Sequence, residues 1–166
     1  MREQSTFPAR ELDAEAEARV RTSFSRQGLM RHLGAVLAEV MPGRVSIQLP
    51  FREELTQQHG FFHAGSTSAI ADSAGGYAGF TLFPADSSVL TIEFKINLLA
   101  PARGDYLEAI GSVVRSGRTL TICQLEVFAV TATERVLIAL GQQTLMCMRG
   151  KQDGEASEAD RSTGDK

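Results

Sequence analysis

Between residues 22 and 40 the apolar positions Phe24, Met30, Leu33, Leu37 and Val40 recur at intervals that fit one face of an α-helix. Pro42-Gly43 ends that pattern. Immediately afterwards Val45, Ile47 and Leu49 alternate with Arg44, Ser46 and Gln48, the period of a half-buried strand, which Pro50 closes. A turn-rich stretch, 60–65, leads into a second helical segment predicted over 66–83 and stopped by Pro84. Everything beyond carries strand signal: 89–98, 106–115, 119–130 and 135–148 are rich in Val, Ile, Leu, Phe and Thr. Turn residues at 101–104, Ser116-Gly117 and 131–134 separate them. One central helix followed by a strand meander makes an α+β domain, with an additional helix before it.

The segment 66–83 holds Gly75, Gly76 and Gly79 in its interior. Each would cost an isolated helix about 1 kcal/mol relative to Ala. Close approach of another backbone is the usual compensation, so a helix wrapped tightly by a sheet is expected. Residues 1–21 mix Ala with acids and bases and show no sustained apolar stripe, which suggests a frayed or loosely docked helical arm. From Gly150 the chain reads GKQDGEASEADRSTGDK, polar and poor in apolar residues, and is expected to be disordered. The organisation is thus an arm over 1–21, one folded domain over 22–149 and a tail over 150–166.

Composition narrows the class without changing this picture. A chain of 166 residues, 43% apolar and 22% charged, suits one soluble globular domain. No apolar run approaches the roughly 20 residues needed to cross a bilayer. The opening MREQSTFPARELDAEAEARV lacks the apolar segment of a secretory signal, so a cytoplasmic location is expected. A net charge of −3 argues against a surface that neutralises many nucleic-acid phosphates. Cys123 and Cys147 lie in apolar strand-like runs with no metal-ligand spacing around them, and read as buried, reduced thiols.

Asp72 is the most informative position, because SAIADSAGGYAG is otherwise small and apolar and an acid is costly to bury there without a partner. On helical spacing its neighbours are Gly65, Ser68, Ala69, Gly75, Gly76 and Gly79, whereas Ile70, Tyr77 and Phe80 point elsewhere. The resulting gap either admits a ligand or is filled by another element, with Asp72 serving as a hydrogen-bond acceptor. Before the helix, His63-Ala64-Gly65 presents unpaired N–H groups at the positive end of the helix dipole. That end either serves as an oxyanion hole, with a general base one or two turns further along, or is simply capped by His63. Gly65-Ser66-Thr67-Ser68-Ala69 lacks the G-x-S-x-G elbow, so neither Ser66 nor Ser68 reads as a nucleophile. The glycines match neither a dinucleotide fingerprint nor a Walker loop. Arg115-Ser116-Gly117-Arg118 puts two guanidinium groups on one hairpin tip, a phosphate-binding arrangement or a solvated turn.

Taken together, these residues resemble the hotdog acyl-CoA thioesterases of the phenylacetate-degradation type. That family carries a His-Gly-Gly segment opening its central helix, an Asp nine positions after the His and an Ala/Gly-rich continuation; the counterpart here is HAGSTSAIADSAGGYA, residues 63–78. VLTIEFKINLLAPARGDYLEAIGSVVRSGRTL, residues 89–120, is similar to the family's strand, Pro-Ala turn and Gly-Arg hairpin, and the resemblance spans 43–148. It implies a hotdog fold and thioester hydrolysis, with Asp72 as the carboxylate that activates water or attacks the carbonyl. Gln57 takes the place of an Asn or Gln that positions the thioester or the water. His63 with the amides of Ala64 and Gly65 matches the segment that polarises the carbonyl, and Thr91 falls where some relatives hold the attacking water. Arg115, Ser116, Gly117 and Arg118 would meet the CoA phosphates.

The resemblance further implies acyl-CoA as substrate, no metal or redox cofactor, no nucleic-acid or membrane partner, and a homodimer or dimer of dimers with shared sites. Ala64 departs from the family's Gly, a difficulty if that position needed a positive φ. Other branches of the superfamily bind acyl-CoA without turnover or hydrate enoyl-CoA, the two competing functions.

Overall fold

A computed structural model describes residues 12–151. Its elements in chain order are α1 (Ala14–Arg26), α2 (Gly28–Leu33), β1 (Val36–Met41), β2 (Arg44–Pro50), a short 3-10 turn (Glu53–Leu55), α3 (Ala64–Phe80), β3 (Ser87–Leu98), β4 (Tyr106–Ser116), β5 (Leu120–Val130) and β6 (Arg135–Arg149). The six strands form one antiparallel sheet in the order β1-β2-β4-β5-β6-β3. Only β4, β5 and β6 run as a meander. β3 leaves the helix for the far edge, beyond β6, and β4 returns to pair with β2, so the strands do not form one continuous meander, while the sheet wraps α3 as expected.

The core lies between α3 and the inner face of that sheet. Val45, Ile47 and Leu49 on β2, Leu107 and Ala109 on β4, Leu125 and Val127 on β5 and Leu145 on β6 are fully buried against Ile70, Ala71, Ala74 and Phe80 of the helix. The glycines of α3 do permit close packing, but mainly against side chains. A Cβ on Gly75 would meet Gln143 Oε1 and Leu125, and one on Gly79 would meet Leu145, whereas one on Gly76 would meet nothing within 4 Å. The backbone contact sits across the interface: a Cβ on Gly111 of β4 would lie 2.4 Å from the main chain of Ala74 and Gly75.

The single helix expected over 22–40 is instead the end of α1, all of α2 and β1. Gln27 is extended at φ −66, ψ 107, and Gly34 is left-handed at φ 75, so the chain turns twice. Leu37 and Val40 mimic helical spacing because a bulge between Leu37 and Glu39 shifts the strand's parity. Both therefore sit on one face, paired with Ile47 and Val45.

The arm expected to be loose is docked where it is described. Asp13 caps α1 by accepting from Glu15 N–H, Val20 is fully buried, and Phe24 meets Tyr77 edge to face. Arg19 donates to the carbonyls of Phe80, Phe83 and Pro84 at 2.6–2.9 Å and stacks over the Phe80 ring. A cation thereby satisfies the negative end of α3. Residues 1–11 and 152–166, which include most of the expected tail, lie outside the described residues. No described helix is long and apolar enough to cross a membrane.

Candidate active site

Asp72 lies on the half-buried side of α3 toward β3 and β6. Thr91 of β3 donates its hydroxyl proton to Asp72 Oδ1 at 2.9 Å, and Gln143 Nε2 of β6 donates to the same oxygen at 2.6 Å. Gln143 Nε2 also lies 3.0 Å from the Asp72 carbonyl and 2.9 Å from Thr91 Oγ1. Among the described residues nothing donates to Oδ2. Asp72 lines a cavity of about 280 Å³ together with Gln27, Ser73, Gly76, Tyr77, Leu90 and Thr91. The predicted gap beside the carboxylate exists, and Gly76 opens it. Tyr77, expected to point away, forms part of its wall, with its hydroxyl 3.0 Å from Ser23 of α1.

The start of α3 forms a separate place. His63 is its N-cap, at φ −65 and ψ 141, and Nδ1 accepts from Gly65 N–H at 2.8 Å. The other ring nitrogen, Nε2, then carries the proton in the neutral imidazole. Ala64 is helical and needs no positive φ, so a side chain is tolerated where relatives have Gly. With Gly65 N–H taken by His63, Ala64 N–H is a donor at the helix entrance for which the described residues supply no partner. Gln57, Ala64 and Thr67 border a cavity of about 290 Å³ whose remaining walls are apolar, including Phe61, Phe62 and Ile138. Gln57 accepts from His59 N–H through its side-chain oxygen, leaving the amide nitrogen to donate.

These two groups of residues are not one site within one chain. Asp72 follows Ala64 by eight helical residues, about 12 Å along the axis at 1.5 Å per residue. A reacting carbon must sit about 3 Å from both the base and the oxyanion donor. The expectation of a general base serving the N-terminus of its own helix therefore fails on geometry.

Arg115, Ser116, Gly117 and Arg118 form the exposed β4–β5 hairpin, closed by Gly117 N–H donating to the Leu120 carbonyl at 2.8 Å. Ser116, Thr121, Leu145 and Thr91 follow one another in register across β4, β5, β6 and β3. Three strand spacings of about 4.8 Å put the hairpin about 14 Å from Thr91. Cys123 and Cys147 are free and buried, and burial pushes the Cys123 thiol up to about 12. Among the described residues no cluster of His, Cys, Asp and Glu is arranged to hold a metal.

Two glutamines around Asp72 escaped the sequence reading: Gln27, which lines the cavity, and Gln143, which holds the carboxylate from behind it. Gln27 belongs to the α1–α2 break, hidden beneath an apparent continuous helix. Gln143 carried a usable signal: it shares strand parity with Leu145 and Cys147, both buried, so a polar side chain faces the core.

A single long helix wrapped by an antiparallel sheet, with a hydrogen-bonded carboxylate in the helix, defines a hotdog-fold protein. The family model of the thioesterase superfamily matches residues 59–135. A thioesterase family protein from Silicibacter pomeroyi has a solved structure 44% identical to this chain, covering 81% of it and 99% of that protein, with a TM-score of 0.80. A Halobacterium salinarum protein named "putative esterase" is 29% identical over 81% of this chain and 94% of its own length. The E. coli PaaI protein from the phenylacetic acid degradation operon shares the fold at a TM-score of 0.75 and 18% identity, over 85% of this chain and 99% of that one. The chain belongs to the thioesterase superfamily, a family of hydrolases.

Proposed function

We propose that this protein hydrolyses acyl-CoA thioesters to free acid and CoA, at a site built from two copies of the chain. The observation that carries the reading is the state of Asp72: one oxygen is held by two donors, and the other is unengaged beside a cavity. A carboxylate so oriented can take a proton from water as the water oxygen bonds to the thioester carbon. The negative charge arising on the carbonyl oxygen meets Ala64 N–H of the second copy, with Gln57 beside it. Collapse breaks the C–S bond, and CoA leaves as thiolate, reprotonated from Asp72 or solvent. Thr91 has committed its proton to Asp72, so it meets the water as an acceptor. Arg115 and Arg118 receive the CoA phosphates.

The 12 Å offset between Asp72 and Ala64 is what calls for a second copy. β3 supplies the means. Among the described residues it pairs only with β6, leaving its other edge without a described partner, and it carries Leu90, Ile92, Phe94 and Leu98 between 42% and 56% exposed. An unpaired edge with apolar side chains favours pairing with the same strand of another copy.

Two inactive variants test the whole reading. Asp72→Asn removes the base while keeping shape, and Ala64→Pro removes the amide donor at the first helical position, where Pro is well tolerated after an extended His63. Each should lower kcat by about two orders of magnitude or more. Co-refolded together, the two should recover about a quarter of wild-type thiol release, because half the two-fold dimers are mixed and each mixed dimer holds one intact site. No recovery would place both groups in one chain and sink the shared site; full activity of Asp72→Asn would sink the chemistry.

A further inference from the structure

Gln143 is fully buried, yet it is polar, and among the described residues its Oε1 has no hydrogen-bond partner. An orphaned buried carbonyl is costly, and a Met or Leu of similar volume would avoid the cost. Its neighbourhood is shaped to keep it: Gly75 has no side chain, and a Cβ there would lie 1.9 Å from Oε1. What the amide does in return is on the other side, where Nε2 reaches Asp72 Oδ1, the Asp72 carbonyl and Thr91 Oγ1.

The proton inventory gives this contact a direction. An amide nitrogen carries two protons and accepts none, while a hydroxyl carries one. Thr91 spends its proton on Asp72 Oδ1, so it can only accept from Gln143. One amide proton therefore goes to Thr91 Oγ1 and the other is shared between Oδ1 and the carbonyl of Asp72. Donors converge on Oδ1 from two strands, β3 and β6, while Oδ2 stays unengaged. Neither donor can be replaced by the other.

We infer that Gln143 is a positioning residue for Asp72: it orients the carboxylate through Oδ1 and holds the Thr91 hydroxyl in its donating direction. The role rests on the hydrolytic reading of the site. Without the amide, Oδ1 keeps Thr91 as its one described donor, and the carboxylate is free to rotate away from the cavity. A glutamine that merely filled the core would affect melting and leave the Asp72 orientation and the kcat of the folded protein where they were.

The test is thiol release by wild type, Gln143→Met and Gln143→Asn, with crystal structures of the same variants to read the Asp72 side chain. Met removes the amide, and Asn keeps one but withdraws it from reach. In both, the Asp72 carboxylate should turn so that Oδ1 no longer meets Thr91, and kcat should fall at least tenfold with KM little changed. Thr91→Val added to Gln143→Met should cost less than the two separately. A wild-type Asp72 orientation or a wild-type kcat in either folded variant would overturn the inference. If wild type releases no thiol from any acyl-CoA, the function fails, while the orientation of Asp72 still decides the role of Gln143.

Discussion

Placing a methyl group on Gly111 tests how closely α3 is seated on the sheet. In Gly111→Ala the new Cβ would lie 2.4 Å from the carbonyl carbon and oxygen of Ala74 and from Gly75 N, where ordinary contact is 3.4–4 Å. The obstructing atoms are backbone in the middle of a helix, so no side chain can swing away. α3 or β4 must withdraw by about 1 Å, against packing that resists such shifts. Overfilling of this kind costs about 1–3 kcal/mol, which for a domain of this size lowers Tm by roughly 3–12 °C. The same displacement acts on Asp72, two residues before Ala74, whose bonds to Gln143 and Thr91 span 2.6 and 2.9 Å. A misplacement of about 1 Å in a catalytic group can cost about a hundredfold in rate. Thermal melting and thiol release on one preparation read both effects, with Gly28→Ala, whose Cβ would meet only Arg31 at 4.0 Å, as control. Wild-type Tm and rate in Gly111→Ala would refute the close seating of α3.

Three further outcomes are expected. Gly76→Ala meets no neighbour, so it should stabilise α3 by about 1 kcal/mol in thermal melts, yet its methyl should narrow the Asp72 cavity and raise KM for bulky acyl-CoAs. Arg19→Ala frees the three carbonyls at the end of α3 and should cost about 2–4 kcal/mol in denaturant titrations, with kcat of the folded protein near wild type because Asp72 sits well inside the helix. The Cys123 thiol, raised from 9.0 to about 12, should resist alkylation at pH 8 in the native protein and react promptly once it is unfolded. Its raised folded value also means that its contribution to stability is complete below about pH 9 and is lost as pH climbs toward about 12, visible as a falling Tm that Cys123→Ala lessens.

Much of the domain was legible in local pattern. β2, β4, β5 and β6 appear within a residue or so of their expected bounds, because alternation and β-branched runs report a half-buried strand directly. The acid in a small-residue helix marked Asp72, and the helix entrance marked Ala64. What misled was pattern produced by a local irregularity. The bulge in β1 put Leu37 and Val40 three residues apart on one face, and helical spacing followed. In α1 the chief anchor is Arg19, a cation that reads as solvent-facing until the end of α3 is placed beside it.

By itself the order of residues determined the fold class, the strand boundaries and the presence of a lone carboxylate in a tight helix, since each depends on neighbours within a turn or a pleat. Tertiary structure alone decided the rest. Thr91 and Gln143 stand 52 residues apart yet share Asp72, because β3 crosses to the far edge and pairs with β6. The separation of Asp72 from the helix entrance follows from the rigid rise of α3, which holds the two groups too far apart for one carbonyl. No spacing along the chain records where a sheet brings distant strands together, because register is settled by burial on both faces at once.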